Sequence, residues 1–229
     1  MFTRKSAART SETVVSVLAA TLLKDIAFGE LPPDAKLKIE DLRSHYGGSN
    51  HSVREALTLL ASEGLVEASA QRGFRVASAT EEDLRDIIRM RAELEPLALG
   101  WSMRHPDVDW EGRVIAAQHA ADRATDALLA DPDGAVMMWD EAGRALHLAL
   151  ISACGSPRMI RVLTQLFDQS RRFRLAALRE GLCDPREIRR LRGEIITAIL
   201  HQDIEAATRF LIADIRHDLR EAAPPRSAD

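Results

Sequence analysis

The stretch Leu37–Val76, LKIEDLRSHYGGSNHSVREALTLLASEGLVEASAQRGFRV, decides the fold of the first third of the chain. Leu42 and Tyr46 lie four apart and predict a short helix over Ile39–Tyr46, which Gly47-Gly48 breaks. A further helix begins near Asn50 to Ser52 and ends before Gly64, with Ala56, Leu57, Leu60 and Ala61 as its buried face. Ser49 or Ser52 caps its start, and Ser52-x-x-Glu55 has the form of a capping box. Leu65-Val66 and Phe74-Arg75-Val76 then flank Ala70-Gln71-Arg72-Gly73. Two short β-segments around a glycine-bearing tip read as a hairpin.

Upstream, Val14, Val15, Leu18, Leu22 and Ile26 mark the apolar face of a helix over Ser11–Phe28, stopped by Gly29 and followed by a Pro32-Pro33-Asp34 turn. Three helices and a hairpin, in that order, make a winged helix-turn-helix. Its third helix enters the DNA major groove and its hairpin tip reaches the backbone or minor groove. That task needs hydrogen-bond donors at the start of the reading helix, where free peptide N–H groups also face phosphates. Ser49, Asn50, His51, Ser52 and Arg54 stand there. Asparagine can bind adenine, and arginine guanine, through two hydrogen bonds each. Arg72 beside Gly73 puts a cation on backbone that can approach a phosphate closely. The competing reading is that the serines only cap the helix and that Arg54 pairs with a nearby acid.

Downstream of Thr80 no strand pattern remains. Apolar periodicity predicts six helices, 81–105, 109–130, 134–154, 157–180, 185–201 and 203–222, punctuated by Pro106, Pro132, Gly155 with Pro157, and Gly181. Asp184-Pro185-Arg186-Glu187 supplies a cap, a proline at the first helical position and an acid. Pro96 falls inside the first of these helices and predicts a kink there, since Leu94, Leu97 and Ala98 carry the apolar pattern through it. The expected organisation is a flexible basic tail (1–10), a winged helix-turn-helix (11–79), an all-helical effector-binding and dimerisation domain (80–222) and a flexible tail (223–229). The fold class is mostly α.

Aromatic residues are only 4% of the chain, which favours helices over sheets. The net charge of -4 argues against a nucleic-acid partner only until the chain is divided at Ala79. Residues 1–79 hold 10 Lys+Arg against 9 Asp+Glu, and the remainder holds 21 against 26. A DNA-binding surface is therefore a local patch in the first third. Cys154 and Cys183 have no metal-ligand spacing and read as reduced thiols. No apolar run is long enough to span a bilayer and the first residues lack a signal-peptide pattern, so the expected location is the cytoplasm, with no membrane partner.

The pieces VREAL (Val53–Leu57), the L..EGLV frame (Leu60 to Val66) and RGF.V (Arg72–Val76) resemble the DNA-binding domain of the GntR family of regulators. The family usually has Ser-Arg-Thr-Pro before VREAL; here Ser49-Asn50-His51-Ser52 stands in that place, without the arginine. IIRMRAELEPLAL (Ile87–Leu99), ALHLALISACGSPRM (Ala145–Met159) and AILHQDIEAATRFLIADI (Ala198–Ile215) resemble the FCD effector domain of the FadR-type branch. The resemblance implies a homodimer on a double-stranded DNA operator, controlled by a small-molecule effector.

Many members of that branch hold a divalent metal through an Asp, a His four residues later, and two further His from the last two helices. The corresponding positions here are Gly143, His147, Gly193 and Asp214. One ligand survives, so no metal cofactor is expected, although a rebuilt site from His147, Asp214 and either Asp140 or His217 stays open. Two glycines at former ligand positions leave space for a bulkier ligand. Without a metal, an anionic effector needs fixed cations, and Arg91, Arg171, Arg172 and Arg174 are the candidates. The expected effector contacts are Arg91, His147, Arg171 and Asp214, with Glu95 able to act instead as the helix partner of Arg91. No nucleophile–base pair and no glycine-rich phosphate loop stands out, so an enzyme is not expected. The remaining alternative is a constitutive regulator whose sensor has lost its ligand.

Overall fold

A computed structural model of the chain describes residues 13–69, 73–104 and 106–219. The two predicted tails and Arg72 lie outside the described residues. The chain divides between Ala77 and Ser78 into two compact units.

The first unit contains α1 (Val14–Phe28), β1 (Lys36–Leu37), α2 (Ile39–Tyr46), α3 (Asn50–Ser62), β2 (Val66–Ser69) and β3 (Gly73–Val76). Thr13 caps α1, and Gly29 ends it in the left-handed region, φ 80°, donating its N–H to the Ile26 carbonyl. Leu18, Leu22 and Ile26 of α1, Leu42 of α2, and Val53, Ala56, Leu57 and Leu60 of α3 form one core with Leu65, Val66, Phe74 and Val76. Val14, expected on the apolar face, is exposed; it sits in the first turn, ahead of the point where the core begins.

The hairpin is antiparallel, with Val66 opposite Val76 and Ser69 opposite Gly73. β1 adds a third strand on the far side of β3, pairing Lys36 with Arg75 and Leu37 with Phe74. Periodicity does not predict β1, because two residues are too few to show a period of two. Its function is positional: it fixes Lys36 and Lys38 beside the wing.

The second unit contains α4 (Glu81–Arg104), α5 (Val108–Ala130), α6 (Pro132–Ile151), α7 (Pro157–Arg179), α8 (Pro185–Leu200) and α9 (Ile204–Asp218). The starts follow the capping chemistry. Asp107, Asp131, Ser156, Asp184 and Asp203 each accept a backbone N–H in the first turn of the helix they precede. α5 stops at Ala130, ahead of Pro132 as expected, and Pro132 also opens α6, where its missing N–H leaves no hydrogen bond unmade. α4 runs on through Pro96. Leu84, Ile88, Leu99, Leu146, Leu150, Leu163, Ile195, Leu211 and Ile215 anchor the core. Among the described residues no helix is long and apolar enough to cross a membrane.

Candidate functional site

Two surfaces carry chemistry, one in each unit. In the first unit α3 begins at Asn50, and its cap is Ser49, whose hydroxyl accepts the Ser52 N–H at 3.0 Å. The capping box on Ser52 and Glu55 is not formed, because Ser52 is already inside the first turn. Glu55 instead meets His51, with Nε2 to Oε1 at 3.2 Å, on an exposed face where such a pair contributes little. With Ser52 capped, the N–H groups of Asn50 and His51 have no intrahelical acceptor and open to solvent.

Ser49, Asn50, His51 and Arg54 are exposed and Ser52 half-buried. The Arg54 guanidinium makes no ion pair among the described residues, which removes the reading of it as a structural salt bridge. Asn50 and Arg54 line a groove of about 430 Å³ together with Lys36, Lys38 and Gly73. Gly73 has φ 75°, and a Cβ there would meet open space. The glycine is required by its backbone turn and leaves the wing bare on that side. Lys36 and Lys38 are missing from the sequence-derived set. Lys38 reaches Asp41 only at 3.7 Å, with both side chains well exposed.

In the second unit the helices bury charges that interrupt their own apolar stripes. Arg91 and Glu95 come from α4, Asp140 and His147 from α6, Ser170, Arg171 and Arg174 from α7, Arg192 from α8, and Asp214 and Asp218 from α9, all buried. Helical spacing aims them inward. Asp214 and Asp218 are four apart and extend the line of Ala207 and Leu211, while Arg192 falls between Leu191 and Ile195.

His147 is the hinge of this cluster. Its Nδ1 lies 2.7 Å from Glu95 Oε2, and its Nε2 lies 3.0 Å from Asp214 Oδ2. A carboxylate faces each nitrogen, which favours the protonated ring, and Nδ1 also lies 3.4 Å from Arg91 Nη2. Burial alone would lower its pKa, but the Glu95 and Asp214 carboxylates outweigh that and hold it above the ordinary value of 6.5. Glu95 also accepts Arg91 Nε at 2.5 Å. Its pKa is lowered to about 2: burial opposes this, and the charges of Arg91 and His147 prevail.

Asp140 accepts Arg171 Nε at 2.5 Å, Arg174 Nε at 3.0 Å and Arg174 Nη2 at 2.6 Å. Burial would raise it, yet the two guanidinium charges keep it below the usual carboxylate range. Arg91 and Arg174 lie over the Phe167 ring, at 4.4 and 3.9 Å from its centroid. Asp218 differs from the rest. It is fully buried, neither carboxyl oxygen has a hydrogen-bond partner among the described residues, and burial pushes its pKa up despite Arg174 Nε at 3.6 Å.

This geometry does not suit a divalent metal. His147 is occupied on both sides, by Glu95 and Arg91 at Nδ1 and by Asp214 at Nε2. Asp140 is committed to two arginines. His217 is engaged elsewhere, accepting the Asp184 N–H at 3.1 Å. Among the described residues no His, Cys, Asp or Glu group has metal-binding geometry.

The space expected at the two glycines is open at Gly193 and filled at Gly143. A Cβ on Gly143 would lie 3.1 Å from both Nη1 and Nη2 of Arg192, so the guanidinium fills that space, and a Cβ on Gly193 would meet nothing within 4 Å. The inward position on α8 is therefore Arg192. It could have been found as a charge placed where the 3–4 spacing demands an apolar residue.

Of the cations expected to meet an anion, Arg91 and Arg171 reach the cluster but are committed to Glu95 and to Asp140 with Glu141. Arg172 turns away to pair with Asp83.

Residues 15–76 match the family model described as bacterial regulatory proteins, gntR family, and residues 86–217 match the FCD domain. The chain is 40% identical over 164 residues to the uncharacterized HTH-type transcriptional regulator BphR of Paraburkholderia xenovorans, covering 70% of this chain and 67% of that one. It is 34% identical over 160 residues to the HTH-type transcriptional repressor GlaR of Escherichia coli, covering 69% and 71%. Among solved structures, E. coli McbR/YncC superposes with a TM-score of 0.67 at 21% identity, over 89% of this chain and 94% of that one, a likeness of fold. A helix-turn-helix unit with an open reading helix, followed by a helical unit with a buried charge cluster, is thus accounted for: the chain belongs to the GntR family and is a DNA-binding transcription regulator of the GntR/FCD type.

Proposed function

We propose that the protein is a homodimeric regulator whose operator affinity is modulated by a small organic acid bound within the helical unit. One observation carries this reading: five helices bring four arginines, a histidine and four carboxyl groups into an apolar core. Such a cluster is a poor way to gain stability, because well-packed apolar residues of similar volume do as well or better. Perturbed, buried titratable groups gather where something is bound. A guanidinium-rich interior matches an anion, and a carboxylate fits its forked donors.

On DNA, Asn50 and Arg54 read base edges, Ser49, His51 and Ser52 with the α3 amides hold phosphate, and Lys36, Gly73 and Arg72 hold the backbone beside the wing. By analogy with the relative named a repressor, binding blocks transcription, and the acid shifts the population between gripping and releasing states.

Selection from a random duplex library tests this. The account expects a two-fold symmetric site and elution by an organic acid. An asymmetric single site, or duplex that no acid releases or tightens, would refute it. The internal pairing of Arg91, Arg171 and Arg174 favours a second reading, in which the cluster is closed and regulation is constitutive; that reading predicts the same DNA affinity with every acid tried.

A further inference from the structure

The four arginines of the cluster are not equivalent. Arg91 donates to Glu95 and to Ser170 Oγ at 3.2 Å. Arg171 donates to Asp140 and Glu141. Arg174 donates to Asp140, to Ser170 and to the Phe167 carbonyl at 2.9 Å. Arg192 alone makes no hydrogen bond among the described residues. Its Nε forms an ion pair with Asp214 Oδ1 at 3.3 Å that is not a hydrogen bond, so among the described residues both buried atoms lack a hydrogen-bond partner.

A buried guanidinium with open donors is costly unless something completes it. Its position is also prepared. A Cβ at 143 would lie 3.1 Å from Nη1 and Nη2 and would press the guanidinium aside by a few tenths of an ångström, so glycine suits this seat, and the facing Asp214 is shared with His147, which fixes one end of the fork. The Asp218 carboxyl, which has an ion pair to Arg174 but no hydrogen bond among the described residues, adds a second open polar group to the same cluster.

We propose that Arg192, seated on Gly143, is the residue that binds the effector's carboxylate, making the sensor independent of any metal ion. The proposal rests on the reading that the helical unit takes a small acid. Arg91, Arg171 and Arg174 are then scaffold: their pairs hold Asp140 and Glu95 in place, and Arg192 receives the ligand through two parallel N–H donors. A bound carboxylate completes the donors that the chain leaves open.

The test is thermal melting of the full chain in a chelator, followed by tryptophan fluorescence, with acetate, pyruvate, succinate, malate, citrate and inorganic phosphate as probes. At least one carboxylate is expected to raise the midpoint with the chelator present. Arg192→Gln should then need about tenfold or more of that acid for the same shift, with Arg192→Lys between the two. Gly143→Asp keeps Arg192 but supplies it an internal carboxylate, and should abolish the response while the chain stays folded. An undiminished response in Arg192→Gln or Gly143→Asp would overturn the assignment and leave the acid-sensing reading standing. A response that appears only when a divalent metal is added would do the same, as would one to phosphate alone. No response to any probe, with or without metal, would overturn both.

Discussion

Asp140→Asn removes the anion that two buried guanidiniums share while keeping the side chain's size. In the native chain Asp140 takes three hydrogen bonds from Arg171 and Arg174, at 2.5, 3.0 and 2.6 Å, and its side chain is fully enclosed. Asparagine keeps one acceptor oxygen and turns an NH₂ group toward cations. Arg171 retains exposed Glu141, and Arg174 retains Ser170 and the Phe167 carbonyl, so the loss is large but not total. Breaking a buried pair by removing one partner destabilises by about 3–5 kcal/mol. For a unit of this size that lowers the melting midpoint by roughly 6–20 °C.

Trp101, Trp110 and Trp139 all lie in the helical unit, so fluorescence follows its unfolding without contribution from the DNA-reading unit. The pH dependence supplies the sign. A carboxylate with a lowered pKa stabilises above its unfolded pKa and loses that contribution as pH falls through its folded value. The gap between native and variant should therefore be full at neutral pH and close in acid, below the usual aspartate range. A gap under about 1 kcal/mol at neutral pH, the size typical of an exposed pair, would refute the description of this cluster as sealed and mutually dependent.

Three further outcomes are expected. Arg54→Ala should weaken binding to a selected operator by about 1–3 kcal/mol and relax its sequence preference; unchanged affinity at fixed salt would put Arg54 outside the interface. Lys36→Ala should lower the slope of log affinity against log salt by about one unit on specific and nonspecific duplex alike, and an unaltered slope would show that the groove beside the wing does not meet phosphate. His147→Asn removes the ring held between Glu95 and Asp214. Because the His147 pKa is raised, its contribution is full below 6.5 and lost as pH rises through the folded value, so urea midpoints of native and variant should converge at alkaline pH. A gap that widens with pH would show that the ring is neutral.

The elements that local chemistry dictates were legible in the sequence. Ile39–Tyr46 is bounded as the apolar spacing and Gly47-Gly48 require, and Pro157 and Pro185 open their helices after Ser156 and Asp184. What depends on partners distant in sequence was not. Two cap candidates three residues apart are equivalent until Ser49 is seen to take the Ser52 N–H. The Arg91–Glu95 pair was legible as an alternative at a spacing of four, but Arg171 looks free in sequence because Asp140 is 31 residues away. The exchange of Gly143 with Arg192 is invisible to spacing, since it matches an absent side chain on α6 with a long one on α8. Arg192 carried a local signal all the same, as a charge on an apolar stripe.

The central claim is coupling between an acid in the helical unit and DNA on the reading helix, and the direct measurement is a fluorescence-anisotropy titration of a selected operator with and without a saturating acid, chosen as the one that raises the melting midpoint. Coupling of about 1–3 kcal/mol predicts a change in operator affinity of roughly 5- to 150-fold, and the operator should change the acid's affinity by the same factor. Superimposable titrations at saturating acid would contradict the account, leaving a DNA-binding protein whose charged interior does not regulate it.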